Sequence, residues 1–397
     1  MWMKNCIFIS PNFPTAYWKF CAELKDNGMR VLGIGDSPYE ELTQELRDSL
    51  HEYYKVTNLE NYDEVFRAVA FLTFKHGKID FLESNNEYWL EKDAMLRTEF
   101  NIPGLKVADM HKIKHKSAMK AYYAKAGIPT ARYHIVEGYD DAVAFANKVG
   151  YPVVVKPDNG VGANNTYRLH CDADVERFID TKDDNIYVME EMVKGVVCTY
   201  DAIIGSQGQP LFESGNVTPL SLMDVVNEKG EAIYYLHKEV PEDIRHVGLL
   251  TVKAFDVRSR FVHLEFFRLT EDQEGLGKAG DLIGLEVNMR PAGGFTPDMY
   301  NYAYETDVYK IWADMIAFDK STKPLGQRRF CAFAGRRDGK NYAMNNDAVF
   351  AKYGERIKIY TRMPDVLADC MGNIVYIATL DTQEQLDEFY RDLLATY

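Results

Sequence analysis

The 397-residue chain has no CxxC pair: Cys6, Cys21, Cys171, Cys198, Cys331 and Cys370 lie far apart. That excludes a zinc ribbon and a thioredoxin-type redox pair, and it reads as six reduced thiols in a cytoplasmic protein. No apolar run approaches the ~20 residues of a membrane span, and the apolar stretch Cys6–Ile9 is too short for a signal-peptide core. Low-complexity tracts and internal repeats are missing, as are a GxxxxGK[ST] phosphate loop and an HExxH zinc motif. There is no convincing Cys–His or Ser–His–Asp set for nucleophilic catalysis. Positive charge is in short supply: 46 basic against 60 acidic residues give −14 with histidine neutral. An acidic surface disfavours nucleic-acid backbones and anionic membranes as partners, though single lysines can still grip phosphate in a cleft.

What is present is an ordinary globular composition, long enough for two or three domains of roughly 150 residues. A short strand Cys6–Ile9 runs into a Pro-bearing loop, Ser10–Pro14. A helical pattern through Tyr17, Phe20, Cys21 and Leu24 then closes at Gly28, and Arg30–Ile34 is the next strand. Strand, helix, strand in so short a span is a βαβ unit and predicts a parallel sheet. Helix Tyr62–His76, strand Ile79–Leu82 and the polar turn Glu83–Glu87 repeat the pattern. Ligands collect at the carboxyl ends of parallel strands. Ser10–Pro14 and Glu83–Glu87, with Glu83, Asn86 and Glu87, are therefore candidate substrate contacts, with solvated loops as the alternative. Near Lys112 the composition turns basic (Lys112, Lys114, Lys116, Lys120), and a helix Ser117–Ala126 ends at Gly127 with Pro129 beyond. The first domain boundary falls there.

The stretch Leu282–Gly294, LIGLEVNMRPAGG, is the most informative. Strand alternation puts Glu286, Asn288 and Arg290 on one face and Leu285, Val287 and Met289 on the other. An acid, an amide and a guanidinium in line are expensive to bury without partners. Mg²⁺ would resolve this, because it takes carboxylate and amide oxygens and completes its shell with substrate phosphates. Arg290 would then face those phosphates. The alternative is a salt-bridged edge strand with a solvated face. In Phe261–Arg268, His263, Glu265 and Phe267 share a face, and antiparallel pairing would bring Glu265 opposite Glu286 and Asn288. His263 reads as a packed or hydrogen-bonding residue rather than a ligand. Lys156 ends the β-rich run Tyr151–Lys156, and phosphate oxygens would explain a cation there; the loop Pro157–Asn165 behind it holds Gly160 and Gly162. Tyr187–Met192 places Glu190 at a strand end, followed by Met192 and Val193, which suits an adenine slot. Gly275, Gly277 and Gly280 satisfy GxGxxG, but a strand follows them, so they read as a flexible hairpin connection.

Taken in order, Lys116 before a helix ending AGIP, then YPVVVKP, EEMVKG, HLE and ExNxRPAGG resemble the ATP-grasp superfamily, carboxylate–amine ligase type, from about Asn5 to about Asp319. The resemblance implies an α/β and α+β fold: a Rossmann-like parallel βαβ domain (1–111), then a two-lobed ATP-grasp domain with mostly antiparallel sheets. The first lobe would span 112–195 and the second, with the metal site, 196–320; a C-terminal α+β segment, 321–397, would pack on the second lobe. The cofactors implied are ATP and Mg²⁺, with Mn²⁺ as the alternative ion. Lys116 and Lys156 would contact phosphate, and Asp158–Asn165, with Asn159, Gly160 and Gly162, would close over it. Glu190, Glu191, Met192 and Val193 would form the adenine hinge, with Leu285 as a further nucleotide contact. Glu265, Glu286 and Asn288 would ligate the ion, Arg290 and Lys156 would steady the transferring group, and Gly293 and Gly294, within Gly293–Asp298, would meet substrate.

Two departures stand out. The acid that many relatives use to hold the ribose is Val197 here, with Asp201 as a substitute, and His115 stands where many carry Asp. Among Lys112, Lys114, Lys116 and Lys120, the choice of Lys116 rests on its distance from AGIP. The expected activity joins a small carboxylate to an amine through an acyl-phosphate, with Asn216–Lys238 and the Gly-bearing loop closing over the site. The rivals are a bicarbonate or thiol acceptor and a non-catalytic nucleotide-binding regulator. The expected partners are small molecules, not nucleic acid or membrane, and a homodimer is the commonest closed assembly.

Overall fold

A computed structural model describes residues 3–160, 165–219 and 230–397. Strands β1 (Asn5–Ile9), β2 (Arg30–Gly35), β3 (Glu52–Lys55) and β4 (Phe81–Glu83) form a parallel sheet in the order β3-β2-β1-β4. All five residues of β1 are buried, as expected of a parallel strand covered on both faces. Strand β3 has no counterpart in the periodicity, because EYYK is a short edge with charged ends and little burial. Since β1 and β4 are neighbours, the loops leaving their carboxyl ends, Ser10–Pro14 and Ser84–Glu87, lie side by side.

Strands β5 (Tyr133–Ile135), β6 (Val153–Pro157), β7 (Tyr167–Leu169) and β8 (Tyr187–Glu191) form an antiparallel sheet, β5-β8-β6-β7. Val153 and Val155 pack with Ala142 and Ala146 of helix Tyr139–Val149 and Val175 and Phe178 of helix Asp172–Thr181. Alternation therefore sends Val154 and Lys156 to the other face. Val154 pairs with Glu190, which makes Lys156 and Glu190 diagonal neighbours there.

The third sheet holds nine strands among the described residues: β9 (Gly195–Ile204), β10 (Pro210–Ser214), β11 (Asn216–Thr218), β12 (Ala232–Leu236), β13 (Arg260–Leu269), β14 (Leu282–Asn288), β15 (Phe330–Arg336), β16 (Ile357–Arg362) and β17 (Ile374–Leu380). Its order is β14-β13-β9-β11-β12-β15-β17-β16, with β10 on β9. The strands of the C-terminal segment thus continue this sheet. Asn216–Lys238, read from sequence as a closing segment, contributes β11 and β12 to the sheet interior; its residues 220–229 lie outside the described part. Gly335 of β15 allows a close approach that any side chain would forbid: a Cβ there would meet the carbonyl oxygen of Met371 at 1.9 Å. This contact seats helix Asp365–Met371 against the sheet.

The parallel sheet is held to the large one through helix Val308–Phe318. Phe20, on helix Trp18–Asp26, lies 4.9 Å from the Trp312 ring in an edge contact, and both belong to one buried cluster with Phe8, Tyr300 and Phe333. Among the described residues, no helix is long and apolar enough to cross a membrane.

Candidate active site

The site forms where the second and third sheets face each other. On β13 and β14, Glu265 sits directly opposite Glu286, and His263 opposite Asn288, the antiparallel pairing expected from alternation. The register shifts after Glu265, where Phe266 pairs with Gly284 and Leu285 is left over as a bulge residue. This corrects the simple alternation that put Leu285 and Val287 on one face: Val287 is buried and Leu285 only half so. β14 also ends at Asn288, so Arg290 lies in the turn before Pro291, not in the strand. Its guanidinium still reaches back, with Nη2 donating to Asn288 Oδ1 at 3.2 Å. Asn288 Nδ2 in turn donates to Glu265 Oε1 at 3.4 Å.

His263 is a hydrogen-bonding residue. Its Nδ1 lies 2.5 Å from Asp201 Oδ1 and its Nε2 3.0 Å from Glu265 Oε1. Burial alone would lower its pKa, but Asp201 and Glu265 push it up to about 9. Glu265 is held below its usual range: burial would raise it, and His263, Arg290 and Lys156 more than offset that. Asp201 also accepts from Thr199 Oγ1 at 2.7 Å and is fully buried. With both oxygens engaged away from solvent, it has nothing left for a ribose, which removes the substitution considered for Val197.

The lysines sort by position on the helix Lys116–Lys125 and its neighbour Val107–Lys114. Lys116 and Lys120, four apart, share a face and line the cleft end to end. Lys116 Nζ lies 3.2 Å from Glu286 Oε1 and donates to the Gly160 carbonyl at 3.2 Å. Lys120 Nζ lies 2.6 Å from Glu190 Oε1, while Lys156 Nζ holds Glu190 Oε2 at 2.7 Å. Lys114 pairs with Glu87 at 2.8 Å and Lys112 with Asp109 at 2.9 Å. Lys116 is therefore the lysine beside the acids, and Lys120 the one at the hinge. Asp158 fixes this helix: its carboxylate accepts from the Ser117 amide at 2.7 Å and its carbonyl from the Lys116 amide at 2.9 Å. His115 Nδ1 lies 2.9 Å from Asp158 Oδ2. Asp158, read from sequence as the start of a closing loop, is thus a buried anchor. Asn159 donates to Glu91 at 3.3 Å, and Gly162 lies outside the described residues.

At the hinge, Glu191 accepts from the Arg132 amide and, at 2.7 Å, from its guanidinium. Gln273 Nε2 donates to the Met192 carbonyl at 2.9 Å, and its Oε1 accepts from the Lys194 amide at 3.1 Å. The connection holding Gly275, Gly277 and Gly280 is therefore tied to the hinge rather than loose. Sequence reasoning gave neither Arg132 nor Gln273 a role. Val193 packs with Ala131, Leu269, Leu276 and Ile283, an apolar wall beside the hinge.

Of the substrate candidates, Glu83 is corrected outright. Its side chain is 3% exposed, 3.4 Å from Arg97 and 3.2 Å from Arg260, so it is a structural clamp. Asn86 Oδ1 caps the Tyr88 amide at 3.0 Å in a local turn. Glu87 does face the site: Oε2 is 3.6 Å from Arg290 Nε and has no hydrogen-bond partner. Asp298 is taken by Lys19 at 2.6 Å. Gly293 and Gly294 line a cavity of about 350 Å³ that also reaches His263 and Glu265.

Residues 114–186 match the sequence model of the carbamoyl-phosphate synthase L chain ATP-binding domain. Over 302 residues, 74% of this chain and 70% of the relative, the sequence is 26% identical to the L-arginine-specific L-amino acid ligase of Bacillus subtilis. In sequence and fold the chain resembles ATP-grasp ligases. Its fold also matches the L-amino acid ligase from Bacillus licheniformis, with TM-score 0.69 at 16% identity over 98% of this chain and 96% of that one. The biotin carboxylase domain of Hydrogenobacter thermophilus 2-oxoglutarate carboxylase, solved with MgADP and bicarbonate, gives TM-score 0.69 at 14% identity over 99% and 90%.

The matched sequence model is that of an ATP-binding domain, the Hydrogenobacter domain was solved with MgADP, and the residues here fit both groups. Among the described residues no group of three or more His, Cys, Asp or Glu forms a ready metal cage. Two carboxylates and an amide, with lysines alongside, are instead the partial set Mg²⁺ uses when phosphates complete its shell. Glu190 shows how the cations are kept ready. Burial would raise its pKa, yet Lys120 and Lys156 hold it down to about 2. A folded value below the unfolded one near 4.3 means the stability it adds is full above that pH and lost as pH falls toward the folded value. In urea denaturation, the stability gap between wild type and Glu190→Gln is expected to narrow between about pH 6 and about pH 3. A gap that stays constant over that range would contradict this ion-pair account.

Proposed function

We propose that this chain is an ADP-forming ATP-grasp ligase that activates a small carboxylic acid as its acyl-phosphate and joins it to an amine. The observation that carries the reading is the direct opposition of Glu265 and Glu286 across β13 and β14, with Asn288, Lys116 and Arg290 around them. Glu265, Glu286 and Asn288 would hold the ion, which when bound supplies a charge clamp on the phosphates. Lys116 and Lys156 take the phosphate oxygens, and their present carboxylate partners Glu286 and Glu190 keep them aimed until then. Glu191, Met192 and Val193 offer backbone and apolar contact to the base, with Gln273 and Arg132 fixing the hinge.

The acid's carboxylate attacks the γ-phosphate, and ADP leaves. The amine nitrogen then attacks the acyl carbon, phosphate leaves, and the nitrogen gives up its proton. Arg290 lies where the negative charge of both steps develops, and Glu87 beside it is placed to accept a proton or to bind an ammonium. A homodimer belongs to the same reading; the Hydrogenobacter domain was solved as a dimer.

The test is a screen of small acids and amines for release of ADP and phosphate that requires both, with the amide identified by mass. ADP release that needs bicarbonate or a thiol, and no amine, would replace this reading with one of its rivals.

A further inference from the structure

The cavity beside Glu265 is walled by Val197, Ala232, Tyr234, Phe333 and Met371, and it is predominantly apolar. Its polar groups are mostly committed. Thr199 donates to Asp201 at 2.7 Å and accepts from the Asn216 amide, and Thr296 donates to the Gly293 carbonyl at 2.8 Å. Asn216 is the exception: its Oδ1 is buried without a hydrogen-bond partner, in a residue 5% exposed. A buried acceptor left unpaired is costly, and an N–H from a ligand would satisfy it. Among the described residues, Glu265 is the one carboxylate in the wall, and His263 already occupies it at 3.0 Å. Among the described residues, nothing in the wall is free to balance a buried cation.

We infer that this cavity receives the side chain of the acid substrate, and that the acid is an amino acid with an apolar side chain. The inference rests on the ligase reading and narrows it. His263 and Glu265 line the cavity, so a carboxylate held beside Glu265 leaves its side chain to fill the remaining space. A volume of about 350 Å³ accommodates a branched or aromatic side chain with room to spare. Among the described residues the wall offers a guanidinium no free counter-charge.

Met371 sets the floor. Gly335 brings its backbone against β15, and a Cβ on Gly294 would meet Met371 Cε at 2.6 Å, so the thioether fills the space a side chain at 294 would take. No residue of the parallel sheet is in the described wall; acid selection would come from the large sheet, with Phe333 and Met371 supplied by the C-terminal segment.

Hydroxylamine replaces the amine in the test, so that hydroxamate formation reports on the acid alone. With ATP, Mg²⁺ and hydroxylamine, leucine, methionine and phenylalanine are expected to exceed arginine and glutamate at least about tenfold in kcat/KM. Met371→Trp should raise KM for phenylalanine by roughly tenfold or more, with the smaller leucine less affected, and Met371→Leu should restore it. A preference for charged amino acids, or a Met371→Trp enzyme with an unaltered acid KM, would overturn the cavity assignment while leaving the ligase reading standing. Hydroxamate from no acid at all would overturn the ligase reading, and the cavity assignment with it.

Discussion

Glu286→Gln is expected to lower amine-dependent ADP release by about 10²–10³-fold while the protein stays folded. The substitution keeps the shape of the side chain and removes its charge. Glu286 is partly exposed, at 23%, and its one close cation is Lys116 at 3.2 Å, so the folded state loses only a weak pair, worth under about 1 kcal/mol. The phosphate-bearing state loses far more. One of two carboxylates facing each other across β13 and β14 is gone, and an amide cannot offset the charge of an ion that must neutralise a transferring phosphoryl group. Asn288 and Arg290 are chained to Glu265 by hydrogen bonds at 3.4 and 3.2 Å, so the remaining side chains stay in place. The effect should therefore appear in kcat, with a smaller rise in KM for ATP. Measuring both at several Mg²⁺ concentrations checks it, since higher Mg²⁺ should recover part of the lost rate. A variant with wild-type turnover would show that the acids on these strands do not serve phosphoryl transfer, and the ligase reading would fail.

What the sequence made legible follows from the range of the interactions. Strand alternation is local, so Glu265, Glu286 and Asn288 could be placed on one face from spacing, and the pairing that brings them together needed only a hairpin between two adjacent strands. The strand ends that carry Lys156 and Glu190 were readable for the same reason. The bulge at Leu285 was not, because it arises from the match between two strands rather than from either alone. β15, FCAFAGR, is buried on both faces and shows no alternation to read. Gln273 acts on Met192 from 81 residues away, and Asp158 anchors Ser117 from 41. Periodicity carries no trace of such contacts. Glu83 was misassigned for the same cause: position at a strand end suggested a ligand, while its true partner Arg260 lies 177 residues on.

That partnership gives the largest expected loss of stability. Glu83 lies between Arg97 and Arg260, and all three side chains are at most 4% exposed. Burial would raise the Glu83 pKa, and Arg260 and Arg97 hold it low. Arg260 also donates through Nε to the Met289 carbonyl at 3.0 Å, so the clamp joins the parallel sheet to the turn that carries Arg290. Glu83→Gln leaves two buried guanidinium groups short of a counter-charge and is expected to cost about 3–5 kcal/mol in denaturant unfolding. Asp93 supplies a sharper signature. It is fully buried, and burial and the neighbouring Glu83 push its pKa up to about 8. Because that lies above the unfolded value near 3.9, its contribution to stability is full below the unfolded value and is lost as pH rises through about 8. Without the Glu83 charge, Asp93 should ionise more readily and take over part of the pairing with Arg97. The variant's deficit should therefore shrink as pH rises from about 5 to about 8. Were Glu83 a substrate contact instead, the variant would unfold like wild type at every pH, and only KM for acid or amine would move.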